Sequence, residues 1–364
     1  MKGSDAASAA NRLGLDYRAE AARMGVPPVG ITDVHTHING VRAAEIYGSV
    51  CDLFGIRRTY SQTQLVQAEG VRSVLGDRIR FIALPDFMSE DKAHAFREGY
   101  LESISVFHDR FGARMVKFWA APRFRDYAEE LGKDDVVAMD SPWRIRAAEL
   151  AQSLGMMFMV HIGDPDTWFK AKYADSSMYG TKVDQYVPFE RMLDRFNSPW
   201  IAAHMGGWPE DLSFLSGLLG RHDNLYMDTS ATKWMVRELS KHEPSAFGEF
   251  LERWRGRIMF GSDIVTHDDH LGAADDGHPM SALAGDEASA FDLYASRYWA
   301  LRTLFESDYE GESPIADPDL AMCEPARYDE MAAPMLRGMG FSDDLLRVLY
   351  HDAAADLLEP FYGS

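Results

Sequence analysis

The stretch Gly30-Ile-Thr-Asp33-Val-His35-Thr-His37 decides how the chain is read. It starts just after Pro27-Pro28, a pair that ends any preceding helix. The apolar run from Gly30 to His35 has the composition of a short buried strand. Side chains two apart on a strand share a face, so His35 and His37 point the same way. Two imidazoles so placed can hold one metal ion, although H-x-H alone is a weak signal.

Outward from this stretch the chain alternates short apolar runs with longer amphipathic ones, the pattern of βα units. After Gly30 to His35, strands are expected at Ile56 to Tyr60, Ile79 to Leu84, Arg114 to Trp119, Met156 to His161, Trp200 to His204, Asn224 to Asp228 and Arg257 to Phe260. Helices are expected at Ala43 to Phe54, Asp91 to Phe111 and Pro142 to Leu154. Eight strands separated by helical patterns predict a closed (β/α)8 TIM barrel, and 364 residues accommodate a barrel of roughly 250 with insertions. Residues 1–28 are expected to form an N-terminal extension packed on a barrel of residues 29–364. The extension reads as helical over Met1 to Val26, with Leu13, Leu15, Tyr17 and Met24 as docking residues. Insertions are expected after the fifth strand (Asp164 to Val187, rich in aromatics) and the eighth (Ile264 to Glu287). A third, Tyr309 to Pro325, carries three prolines and many acids. Loops after barrel strands lie on the catalytic face, so the first two are candidate lids or substrate walls.

Three later strands end in a polar residue of the same kind of chemistry. These are His161 in Phe158-Met-Val-His161, His204 in Ala202-Ala-His-Met-Gly-Gly207 and Asp263 in Met259-Phe-Gly-Ser-Asp263. A barrel gathers the C-terminal ends of its strands into one ring, so these side chains are expected beside His35 and His37. Imidazoles with a carboxylate suit one borderline divalent cation, zinc first, with manganese, cobalt or iron also suited. Magnesium or calcium would want more oxygen ligands.

These residues together resemble the amidohydrolase superfamily, in particular its amidohydrolase-related branch of metal-dependent hydrolases and decarboxylases. The resemblance runs from about residue 29 to 360. It rests on Asp-Val-His-Thr-His (33–37), Gly-Ala-Arg-Met-Val-Lys (112–117), Val-His (160–161), Ala-His-Met-Gly-Gly (203–207) and Phe-Gly-Ser-Asp (260–263), motifs specific as a set and weak one by one. The closing segment reads Asp-Ala-Ala (352–354) where the family usually has Asn-Ala-Ala. The resemblance implies that His35, His37 and His161 bind the metal through ring nitrogens. Asp263 would complete the site and accept a proton from water, while His204 would polarise substrate or shuttle a proton. A divalent ion lowers the pKa of water it holds, and an imidazole titrates in the useful range.

Other candidates surround this set. Lys117 matches the lysine that bridges two metals in binuclear relatives, but its setting in Val116-Lys-Phe-Trp119 resembles the single-metal branch, where it would contact structure or a substrate anion. Arg123 could clamp a substrate carboxylate in two-point fashion, or be a surface arginine. Trp168 and Phe169 could wall the pocket or pack the inserted loop, and His267, His270 and His278 read as solvated loop histidines, with a second metal or a substrate contact as the alternative. Two functions stay open: hydrolysis of a small amide, ester or lactone, and non-oxidative decarboxylation of an aromatic or unsaturated acid. A third reading, a barrel that binds without catalysing, is opposed by the intact polar set.

Composition narrows the partners. The net charge of −20, from 37 basic and 57 acidic residues, opposes nucleic acid and anionic lipid. The charged N-terminus lacks the apolar core of a signal peptide, and no run approaches the roughly 18 apolar residues of a membrane span. A cytoplasmic enzyme acting on a small molecule is therefore expected. The extension and acidic insertions are candidate surfaces for a homo-oligomer. Cys51 and Cys323 form no motif and read as structural.

Overall fold

A computed structural model describes residues 8–132, 134–272 and 283–363. The barrel strands are β1 (Ile31–Ile38), β2 (Ile56–Ser61), β3 (Ile79–Phe81), β4 (Met115–Trp119), β5 (Met157–His161), β6 (Trp200–Ala202), β7 (Leu225–Asp228) and β8 (Ile258–Met259). Each pairs in parallel with the next, except that β3 meets β4 through a single bridge, Ala83 to Val116. That bridge is made by Ala83 N to Met115 O and Lys117 N to Ala83 O, both 2.8 Å. Closure comes from Val34 N to Phe260 O (3.0 Å) and Asp263 N to His35 O (2.8 Å). The molecule is thus a (β/α)8 barrel, as the alternation predicts.

The eighth strand differs from its expected form. It stops at Met259 and resumes as β9 (Ile264–Thr266), paired in parallel with the end of β1. Between the two pieces Asp263 takes φ of +60°, an unusual conformation for a residue with a side chain. The first strand also runs past its expected end, through His37 to Ile38. Its pairing with β2 loses register between Asp33 and Thr36, a bulge-like irregularity. Val34 consequently joins the barrel's interior layer while His35 and His37 reach the mouth, which strict alternation would forbid.

That interior layer is Val34, Tyr60, Ile82, Met115, Met157, Met159, Ile201 and Met259. It is plugged from below by Ala353, Ala354, Leu357 and Leu358 of the closing helix Ala353–Tyr362. Each buried leucine there contributes on the order of 2 kcal/mol. The other face of the strands packs on the surrounding helices, among them Val41–Phe54, Glu98–Phe111 and the long helix Glu287–Glu306.

The extension is less helical than its composition predicts. Among its described residues only Tyr17–Met24 is helical, capped by the Asp16 side chain, and Leu13 is exposed. It docks chiefly on the long helix, through Asn11 Nδ2 to Asp292 (2.9 Å), Trp299 Nε1 to Glu20 (3.2 Å) and Arg302 Nη2 to Gly25 O (3.1 Å). The stretch after β5 is also shorter than expected, because a barrel helix starts at Lys182 under a Thr181–Asp184 capping box and already contains Tyr186. Both cysteines are free thiols. Among the described residues no helix is long and apolar enough to cross a membrane.

Asp33 ties the broken eighth strand to β1. Its carboxyl accepts from Ser262 N (3.1 Å), Ser262 Oγ (2.6 Å), His35 N (3.1 Å) and Tyr298 OH (2.8 Å). Burial pushes its pKa up to about 7 against those four donors. Replacing Asp33 with Ala strands four buried donors. Denaturant unfolding should show a loss of about 3 kcal/mol or more, against about 1 kcal/mol for Asp33→Asn. An Asp33→Ala loss no larger than that of Asp33→Asn would refute this tie.

Candidate metal centre

The strand ends open into a cavity of about 690 Å³, lined in part by His35, His37, Lys117, His161, Trp168, His204 and Asp263. Each arrives by the local rule of its strand. Lys117 shares a face with Met115, and His161 with Met157 and Met159, so the side chains above the apolar layer look into the mouth. Asp263 arrives through the break between β8 and β9.

His35, His37 and Asp263 form a group whose ligand atoms all lie within 4.8 Å of one another. Asp263 Oδ1 stands 3.1 Å from His37 Nε2 and 3.4 Å from His35 Nε2. The proton of His35 can be placed. Its Nδ1 lies 2.9 Å from Asp228 Oδ2, an acceptor-only carboxylate, so Nδ1 carries the hydrogen. His35 Nε2 is therefore a lone pair, and it accepts from the Lys117 ammonium at 3.3 Å. A lone pair and a carboxylate oxygen thus face each other across 3.4 Å with no hydrogen between them. Such an arrangement of nitrogen and oxygen acceptors is satisfied by a cation, and the donor set fits a borderline divalent ion.

The protonation states agree. Burial and the Lys117 charge lower His35 to about 4, against Asp228. Burial opposes ionisation of Asp263, but its hydrogen bond with His37 holds it well below the usual carboxylate range. Burial lowers Lys117 to about 8, opposed by Asp263 and Asp228.

Asp228 went unremarked in the sequence, although it ends an apolar run by the same pattern as His161. Its Oδ1 accepts from His204 N (2.9 Å), Ser230 N (3.0 Å) and Ser230 Oγ. The Ser230 hydroxyl hydrogen is spent on that bond, so Ser230 Oγ accepts from His204 Nδ1 at 2.8 Å. His204 Nε2 is then left as a lone pair, and burial with the neighbouring His161 and His35 rings keeps this imidazole well below its ordinary pKa. The turn that presents His204 is strained, with φ of 60° there and 50° at Met205, followed by Gly206 and Gly207. A Cβ at Gly207 would lie 2.3 Å from Gly163 O, so only glycine fits that crossing. Gly261 is likewise confined, with the Cβ atoms of Ser230, His35 and Asp228 at 3.1, 3.2 and 3.4 Å from where its own would stand.

Other expected residues are placed differently. His161 reaches the cavity edge-on to His204, with ring centroids 4.4 Å apart, but its Nε2 is taken by Asp164 at 2.8 Å and it stands outside the tight group. Asp164 is itself held by Tyr173 OH at 2.6 Å. Arg123 is not a cavity residue. The 3-10 turn Pro122–Tyr127 carries it outward, where it is 54% exposed and 3.8 Å from Asp126. Trp168 does line the cavity, and its Nε1 donates to Asp319 Oδ2 at 2.7 Å. The same oxygen takes Trp234 Nε1 at 3.0 Å, so one carboxylate fixes two indoles, and Trp234 lies 5.5 Å edge-on from the His204 ring. Phe169 packs on Tyr173 instead. His270 is not solvated: it is buried, with Nδ1 2.8 Å from Tyr294 OH. His267 is half-buried against Asp269, and His278 lies outside the described residues.

No known family model matches the chain, and no curated protein is similar to it. Among solved structures it is similar to a 2,6-dihydroxybenzoate decarboxylase from Rhizobium, at 12% identity and TM-score 0.40, covering 75% of this chain and 99% of that one. It is also similar to a 5-carboxyvanillate decarboxylase from Novosphingobium aromaticivorans complexed with manganese, at 9% identity and TM-score 0.44, covering 92% and 97%. A third is an amidohydrolase at 13% identity and TM-score 0.33, covering 75% and 71%.

Asp228 fixes the face that His35 turns to the cavity. Asp228→Ala should weaken binding of zinc or manganese about 10–100-fold by calorimetric titration. Unchanged affinity in a folded variant would show that His35 does not depend on this bond.

Proposed function

We propose that this protein is a metal-dependent enzyme of the amidohydrolase kind that hydrolyses a small organic amide, ester or lactone. The observation that carries this reading is the convergence of His35 Nε2, His37 Nε2 and Asp263 Oδ1 on one point of the cavity floor, where the His35 lone pair faces the Asp263 oxygen. His35, His37 and Asp263 would hold the ion, with His161 beside them if its ring leaves Asp164. A bound divalent ion would supply Lewis acidity and water that ionises near neutral pH.

The chain's own residues supply the rest. Asp228 and Ser230 hold His35 and His204 in the tautomers that point lone pairs inward. Asp263, ionised beside the cavity, takes the proton of attacking water. His204 Nε2 accepts a proton or hydrogen bond from the substrate and returns it to the leaving atom. Lys117 places a cation next to the oxygen that gains charge in acyl transfer.

A second reading is favoured by the walls. Trp119, Tyr127, Trp168 and Trp234 line the cavity and suit a flat, ring-containing substrate. In that reading the same site would release carbon dioxide from an aromatic or unsaturated acid, and Asp263 or His204 would first take a proton from water or a substrate hydroxyl and then deliver it to the carbon that loses the carboxylate.

Chelation should strip a divalent ion and lower the melting temperature, and zinc or manganese should restore both. His37→Ala should lose at least about tenfold in metal affinity. Activity in heavy-oxygen water then separates the readings. Label in the product marks hydrolysis, whereas carbon dioxide without label in the organic product marks decarboxylation. A protein whose melting temperature ignores both chelator and added metal would sink the proposal.

A further inference from the structure

Among the described residues the basic side chains that line the cavity make no ion pair: Lys117 donates to His35, Lys172 lies over the Trp168 ring, and two remain. Lys233 lies in the helix Thr232–Leu239 that follows β7, and Arg297 in the long helix Glu287–Glu306; both line the cavity. Among the described residues neither makes an ion pair. The hydrogen bond that the structure gives the Arg297 side chain is Nη1 to Ser296 Oγ at 3.0 Å, which leaves most of a five-donor guanidinium unused.

The carboxylates near them are already engaged. Asp317 accepts from Arg237, and Asp319 from Arg237 at 3.2 Å as well as from both indoles. Tyr17, the other group beside Arg297, is a buried phenol whose pKa is raised by burial and then by Asp292, so it stays neutral. Burial lowers the Lys233 amine, and Arg297 pushes it further in the same direction, against Asp317 and Asp319. Arg297 is itself lowered to about 10 by burial, against Tyr17, Asp263 and Asp317. Two like charges held together in a low-dielectric wall cost free energy until an anion joins them.

The described lining of the cavity runs against the chain. Among the described residues, a protein of net charge −20 lines it with Lys117, Lys172, Lys233 and Arg297 against Asp263 and Asp319. We propose that Lys233 and Arg297 form an anion subsite that holds a carboxylate of the substrate. The substrate is then a small organic acid, anchored by this group while the bond that reacts lies at His35, His37 and Asp263. This inference rests on the proposed function in taking the cavity as the substrate site. The planar fork of Arg297 matches a carboxylate edge, and the aromatic walls match a flat acid better than a free tetrahedral anion.

Calorimetric titration of the full chain with benzoate and its neutral isostere benzamide tests this, in chelator-treated and zinc-loaded protein. Benzoate should bind at least about tenfold more tightly than benzamide. Lys233→Met and Arg297→Met should each weaken benzoate about tenfold, leaving benzamide and zinc affinity unchanged. Arg297→Lys keeps a cation and should fold and lose less; if Arg297→Met fails to fold, Lys233→Met decides. Benzoate affinity that ignores both substitutions, or no preference over benzamide, overturns the subsite. Inorganic phosphate binding more tightly than benzoate overturns the carboxylate assignment. The two readings fail separately. Loss of zinc binding with benzoate still sensitive to Lys233 sinks the metalloenzyme reading alone. Intact zinc binding with benzoate indifferent to the variants sinks the subsite alone.

Discussion

The bond network around Asp33 sets the geometry on which the cavity depends. One buried carboxyl accepts from the backbone and side chain of Ser262, from His35 N and from Tyr298 OH. It thereby fixes β1 against the point where the eighth strand breaks. Asp263 follows that point with φ of +60°, a conformation that persists only where its surroundings over-determine it. The Asp263 N to His35 O bond at 2.8 Å completes the lock. Asp263 Oδ1 is brought to His35 and His37 by the backbone, before any attraction between the side chains is considered.

A second constraint is the count of protons. Asp228 can only accept, and Ser230 has one hydrogen to give. Those two facts place hydrogens on His35 Nδ1 and His204 Nδ1 and lone pairs on both Nε2 atoms. Buried polar networks of this kind specify one arrangement because every alternative leaves a group unsatisfied. The same pair of residues therefore leaves an Nε2 lone pair on both imidazoles.

Much of this was legible in the sequence, for a physical reason. Barrel strands buried on both faces are apolar, so a polar residue that ends one stands out. His35, His161, His204 and Asp263 stand out in this way, and the barrel brings all four to one cavity. Asp228 obeyed the same rule and was passed over because aspartate at a strand end also reads as a turn residue. Features made by backbone irregularity had no such signal. The slipped register between Asp33 and Thr36 and the resumption of the eighth strand at Ile264 depend on pairing across the barrel. Arg123 misled because a strand-end position does not determine direction once a 3-10 turn intervenes. His270 looked solvated in its run of acids and glycines, yet Tyr294 of the long helix covers it. Lys233 and Arg297 sit in helices, where a basic residue ordinarily means solvent, and only the tertiary fold turns them into the cavity.

Charge acts differently at long and short range here. Outside, the surplus of acids repels an anion, but salt screens exposed charges beyond roughly 8 Å. Inside, tryptophan and tyrosine walls are less polar than water, and a cation there interacts more strongly than one on the surface. Asp317 and Asp319 take hydrogen bonds from Arg237 and the two indoles, and they act on the neighbouring Lys233 and Arg297 through their charge without an ion pair. Asp263 lies against His35 and His37. Among the described residues the cavity is therefore polarised, with acceptors gathered at His35, His37 and Asp263 and basic side chains without ion pairs at the wall. A substrate with one anionic end and one reactive end has a single orientation that satisfies both.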